Sequence, residues 1–367
     1  MALRPSMREV LRGLVAEGQV DAEVEARART ALEVRQRTMN ASPWFVKALS
    51  GLGAWMSAGF LMSFFACVGL WDEEGVLLVL GVVLCGASVY LRRELEGPFM
   101  EQLGLSTCLA GAGSILFAVA EWANNDVTVA LTAVGLGALM LAYFPDVVLY
   151  FLATLGICLS LGFLAEKALS GMGVDLCVVL GSAALCGLLI FEPRLRKGAL
   201  GDRVGPMAFA LACAVPGWLL FRNLVGMQDG FHYLFRGDFL PPVALTVPLA
   251  LIALWTGWQV LREQGLDKDR GVWLPAVLAL VLLTGMTLST PGLLVAGLML
   301  TLGFHRRSRV MLGLAVAFLL TFGSFYYYDL RLTLLAKALA LVGSGLVLLG
   351  VRQFFQRRAP AVLAEAR

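Results

Sequence analysis

A chain of 367 residues that is 59% hydrophobic and 15% charged, with a mean hydropathy of +0.80, falls outside the soluble globular class, whose charged share is about 25%. It reads as all-α, a polytopic integral membrane protein whose first partner is the lipid bilayer. A net charge of +3 is too small to imply nucleic-acid binding, and no basic groove or recognition motif accompanies it. The seven cysteines stand singly in apolar runs, with no C-x-x-C pair and no ligand spacing. They read as small core residues, and neither a metal nor another cofactor is predicted.

Residues 1–42 form the only sizeable segment outside the apolar runs. Ser6-Met7-Arg8-Glu9 fits a capping box, followed by Val10, Leu11, Leu14 and Val15 at helical spacing, with Gly18 as terminator. A second helix starts at the N-cap Asp21 and runs to about Thr38. The pair predicts a short cytoplasmic helical hairpin, either a docking or oligomerisation element or an arm on the membrane surface. Its Arg and Glu content differs from the short basic start of a cleavable signal peptide, so the segment is expected to be retained.

From Trp44 the apolar length divides into spans near 44–70, 75–91, 99–121, 127–143, 146–165, 173–191, 204–221, 241–261, 272–288, 291–304, 310–325 and 330–351. Each is of workable length against the roughly 20 residues a crossing needs, except 291–304, which reads as filler between tilted neighbours or as an interfacial helix. The predicted layout is thus the hairpin at 1–42, a twelve-helix transmembrane domain at 43–352 and a basic cytoplasmic tail at 353–367. Pro216, Pro248 and Pro275 interrupt later spans, while Pro291 suits the first turn of a helix.

Charge placement orients these spans. All Lys and Arg except Lys167, Arg222, Arg236, Arg331 and Lys337 fall on one face, including Arg92-Arg93, Arg194 to Lys197 and Arg306-Arg307. The positive-inside rule then puts both termini in the cytoplasm, N-in and C-in, which suits an even number of spans. The other face is acidic, with Asp72, Glu73, Glu74, Glu121, Asp126, Glu166, Asp175, Asp229, Asp238 and Asp329. Its long loop, 223–240, holds His232 in an aromatic cluster and folds either onto the membrane as an interfacial lid or against neighbouring helix ends. A faint repeat aligns Gly111 with Gly156, Leu116 with Leu161 and Glu121 with Glu166.

The last predicted span carries the sharpest signal. Lys337 lies about seven residues inside the boundary at Leu330, roughly 10 Å deep, and shares a stripe with Thr333 and Ser344. An intramembrane lysine is a functional-site hypothesis by default; Glu121, Glu166 and Asp175 are its candidate partners, and the alternative is that it snorkels to the headgroups. Tyr326, Tyr327 and Tyr328 read as an interfacial aromatic belt or a lipid- or glycan-stacking site, Asp329 as the cap of the last helix, and Arg331 as a boundary charge. These polar candidates would make a site in the outer half of the bilayer. No catalytic residue is assigned, because no nucleophile and base can be paired by spacing.

Ser324-Phe325-Tyr326-Tyr327-Tyr328-Asp329-Leu330, then Thr333-Leu334-Leu335, Lys337, Gly343, Gly345, Leu348 and Arg352, resembles the signature of a bacterial integral-membrane family, domain of unknown function 4401. Pro43-Trp44-Phe45-Val46 and Phe191-Glu192-Pro193 fit the same family, which would cover about Trp44 to Arg358. The resemblance implies a bacterial cytoplasmic (inner) membrane location and other multi-pass proteins, or further copies of the chain, as partners; it implies no activity.

Three functions stay open at this level. The first is a transporter, flippase or exporter-like subunit built on Lys337, Thr333, Glu121 and Glu166. The second is a non-catalytic structural or assembly subunit of a membrane complex, and the third an enzyme acting on lipid-linked substrates. A cavity among the polar residues would favour transport or enzymology; a solid glycine-packed bundle would favour a scaffold.

Overall fold

The computed structural model describes residues 44–69, 73–94, 98–144, 146–198, 201–227, 241–263 and 290–329, with scattered positions at 21–30, 265 and 277–285. All regular structure among them is helical. Eight of the described helices are long and apolar enough to cross a membrane, and two shorter apolar helices accompany them. The count of twelve spans is not reached among the described residues, because most of 272–288 and all of 330–351 lie outside them. Large apolar side chains such as Phe60, Leu131, Phe304 and Val310 stand exposed. Exposed apolar side chains in such number suit hydrocarbon rather than water.

The chain divides into two compact units, through Asn124 and from Asn125 onward. The first contains α1 (Trp44–Cys67), α2 (Glu74–Glu94) and α3 (Pro98–Ala123). Here α2 and α3 approach through a pair of glycines. A Cβ on Gly81 would fall 2.8 Å from Gly111 O, and one on Gly111 would fall 2.8 Å from Gly81 O. Small residues let two backbones meet in this way where lipid supplies no hydrophobic drive. Ser106 Oγ donates to Ala54 O at 3.4 Å and ties α3 to α1. Near the N-terminus, Glu23, Val24, Arg27, Ala28 and Thr30 are helical, and Glu23 pairs with Arg27 at 2.6 Å. The hairpin's first predicted helix lies outside the described residues.

The second unit contains α4 (Asp126–Tyr143), α5 (Val147–Leu169), α6 (Gly173–Ile190), the short α7 (Glu192–Leu195) and a 3-10 turn at Gly201–Arg203. It continues with α8 (Val204–Met227), α9 (Pro242–Glu263), α10 (Pro291–His305) and α11 (Arg309–Asp329). Helix starts are set by side chains that answer orphan backbone donors. Asn125 Oδ1 accepts from Val127 N–H, and Asp146 Oδ1 accepts from Val148 and Leu149 N–H. Helix α6 packs against α5, α8 and α9, and its Val174, Val178, Leu185 and Leu189 repeat at helical spacing in the core. The facing stripe on α8 is Leu211, Val215, Trp218 and Arg222.

Helix α10, at 15 residues, is the stretch read from sequence as filler or interfacial. It is a core helix, with Leu294, Val295, Leu298, Met299 and Leu302 buried. Its length of about 22 Å at 1.5 Å per residue falls short of a ~30 Å hydrocarbon layer. Its buried residues pack among longer helices instead. Close approach is again through glycine, since a Cβ on Gly292 would overlap the Phe322 ring, 2.3 Å from Cδ1.

Candidate functional site

The turn between α5 and α6 gathers the unit's buried acids. Helix α5 stops at Ser170, which sits in the left-handed region at φ 42 and donates its N–H to Glu166 O at 2.9 Å. Gly171, at φ 97, continues the reversal in a conformation that suits glycine. The returning backbone then presses on the outgoing one: a Cβ at Gly173 would lie 2.1 Å from Ala165 C and 2.2 Å from Glu166 N. Only glycine lets α6 begin there.

That contact brings the buried Glu166 carboxylate over the start of α6, where Oε2 accepts the Val174 N–H at 3.2 Å. The positive end of the helix dipole favours a carboxylate at this position. One residue further, Asp175 is completely buried, and its Oδ1 lies 2.9 Å from Nη1 of Arg222, whose side chain is 9% exposed. One guanidinium and one helix N-terminus therefore face two buried carboxylates. Below the pair the bundle closes. The Trp218 indole, one turn before Arg222 on α8, fits between Gly162 of α5 and Gly181 of α6, where added Cβ atoms would come within 2.7 and 2.9 Å of it. Ser182 Oγ, on the Asp175 side of α6 and roughly 10 Å along the helix, is fully buried without a hydrogen-bond partner.

Of the residues proposed from sequence, the structure brings together Glu166 and Asp175. Glu121 is exposed in the last turn of α3, in the first unit. The faint repeat does not extend to environment: Gly111 packs against Gly81 whereas Gly156 has open space, and Glu166 is buried where Glu121 is exposed. The backbone of Tyr328 and Asp329 belongs to α11. The following helix, which Asp329 is read from sequence as capping, lies outside the described residues. Arg331, Thr333 and Lys337 lie outside the described residues.

Arg222 is the residue that sequence reasoning placed among loop charges. The available signal was the run Leu224-Val225-Gly226-Met227, which carries the apolar character, and the helix, past the arginine. Elsewhere in this unit, Lys167 lies 3.9 Å from Asp126 with both side chains largely exposed, a pair worth no more than about 1 kcal/mol. His305 has Nε2 at 2.8 Å from Glu263 Oε2 and links α10 to α9. All seven cysteines are free thiols, with Cys108, Cys158 and Cys186 buried and Cys67 exposed.

A bundle of long apolar helices, with apolar side chains turned outward and charges paired inside, defines a membrane protein with several transmembrane helices. Within that class the chain belongs to the family described as Domain of unknown function (DUF4401), whose model matches residues 43–358, as the Ser324 to Arg352 stretch implied. No curated protein and no solved structure matches the chain.

Proposed function

We propose that the protein is a non-catalytic structural subunit of a membrane assembly, with its second unit locked by the charge pair Asp175–Arg222. The observation that carries this reading is the closure around that pair: Asp175 has no exposed surface, and Trp218 fills the space beneath it between two glycines. A solute-binding site would present such groups to a cavity, whereas here protein atoms surround them. The basic helix ends favour a bacterial cytoplasmic membrane location with those ends inside, a twelve-pass course and both termini in the cytoplasm. Partners would be other multi-pass proteins or further copies of the chain.

The second reading, a transporter, is favoured by one set of observations. Pro216 lies inside α8 and Pro248 inside α9, two helices that pack against α6, and each removes a backbone donor, while Ser182 on α6 is buried without a hydrogen-bond partner. Flux assays separate the two. Purified protein in liposomes, offered a panel of ions, sugars, amino acids and fluorescent lipids, should move none of them above the leak of empty liposomes. Substrate-dependent flux that Asp175→Asn abolishes would replace the structural reading with the transport one.

A further inference from the structure

At the opposite end of the second unit from the buried pair, the helix ends enclose a crevice of about 540 Å³. Its polar wall comes from two connections. One follows α6, where Glu192 opens α7 and Arg196 comes directly after its last residue; the other joins α10 to α11, where Arg306 precedes Ser308. Glu192 sits between the guanidiniums, with Oε1 at 2.7 Å from Arg196 Nη2 and Oε2 at 3.5 Å from Arg306 Nε. Arg306 Nη2 donates to Ile190 O at 3.2 Å, which fixes its plane, while its Nε is buried without a hydrogen-bond partner. Two guanidiniums against one carboxylate leave a net positive charge.

The backbone adds to that charge. Helices α8 and α11 both begin at the crevice, at Val204 and Arg309, and Ser308 Oγ accepts from Met311 N–H at 3.3 Å. Both positive dipole ends therefore lie at the same opening. Gly205 carries no side chain where an added Cβ would sit 3.8 Å from Arg196 Nη2, which leaves room beside the guanidinium. The remaining wall is apolar, with Phe209 and Met311 on the bilayer side of the charges. A cationic, donor-rich mouth above an apolar wall, at a helix-end boundary, fits an anionic head joined to a hydrocarbon tail.

We propose that this crevice binds the phosphate group of an anionic phospholipid, held by Arg196, Arg306 and the start of α11, with acyl chain along Phe209 and Met311. Such a site would act independently of whether the protein is a scaffold or a carrier. It would bias the orientation of these helix ends toward a leaflet rich in anionic lipid.

The test is native mass spectrometry of the full-length, detergent-solubilised protein titrated with phosphatidylglycerol, phosphatidylcholine or inorganic phosphate. Phosphatidylglycerol should bind saturably and at least about tenfold more tightly than phosphatidylcholine, as charge-assisted hydrogen bonds allow. Arg196→Gln, whose side chain is 57% exposed and so is tolerated by the fold, should weaken phosphatidylglycerol roughly tenfold. Arg306→Gln should do the same, and Gly205→Leu should crowd the mouth with both charges kept. Lys197→Gln, an exposed cation on the same connection, should leave binding as it is. Equal binding of the two lipids, or unchanged phosphatidylglycerol binding in both Arg196→Gln and Gly205→Leu, overturns the proposal. Inorganic phosphate that displaces the lipid at comparable concentration overturns the lipid assignment and makes a free phosphate compound the ligand.

Discussion

The carboxylate of Asp175 has given up all of its water, and Arg222 nearly all. The cost of stripping two ions offsets most of their attraction, so a buried pair adds little net stability compared with apolar residues of the same volume. Removing one partner is different, because it strands the other charge. Arg222→Met is therefore expected to destabilise the second unit by about 3–5 kcal/mol. Asp175→Leu combined with Arg222→Met should recover most of that loss. Thermal unfolding in detergent, followed by tryptophan fluorescence with Trp218 one turn from the arginine, measures both. A double variant no more stable than Arg222→Met would mean that the charges do more than balance each other. From the sequence, Glu166 and Asp175 were legible only as acids of the outer face, named with Glu121 as candidate partners of Lys337. Their actual partners, the Val174 N–H and the Arg222 guanidinium, depend on which helices pack together, and no local pattern carries that.

Among elements, the turn joining α5 and α6 shows how glycine placement decides geometry. The boundaries near 165 and 173 were legible because Glu166 and Lys167 end one apolar run and Gly171 and Gly173 open the next. The reason for each glycine was not legible, since Gly156 and Gly173 look alike in a sequence holding 40 glycines. In the structure a Cβ at Gly173 meets Ala165 backbone at 2.1 Å, while one at Gly156 meets nothing within 4 Å. Backbone cannot yield as a flexible side chain can. Gly173→Ala should separate α5 from α6, break the Glu166 contact with Val174 and lower the unfolding temperature markedly. Gly156→Ala should be neutral or stabilising by roughly 0.5–1 kcal/mol, the helix-interior advantage of alanine over glycine. Equal effects of the two substitutions in parallel melts would contradict the close packing of this turn. The same logic accounts for α10: its short apolar run suggested a helix that does not span, but only packing could place it in the core.

For the whole molecule, the remaining question is which helix ends face the cytoplasm. In the second unit, the buried pair and the phosphate crevice sit at opposite ends of α6, whose 18 residues rise about 27 Å at 1.5 Å each, close to the ~30 Å of a bilayer core. One end carries Glu166, Asp175 and the exposed Asp126; the other carries Arg194, Arg196, Lys197, Arg203, Arg306, Arg307 and Arg309. Cytoplasmic loops hold excess Lys and Arg within short reach of the membrane, so the second set is expected inside. A fluorescent-protein fusion truncated after Lys197 should fluoresce, and an alkaline phosphatase fusion at the same point should be inactive. Fusions after Ser170 should give the reverse pattern. By the positive-inside rule, converting Arg194, Arg196 and Lys197 together to Gln should weaken the bias, while Asp175→Asn should leave it untouched. Active phosphatase after Lys197 in the unaltered sequence would invert the topology and place the phosphate crevice on the outer leaflet.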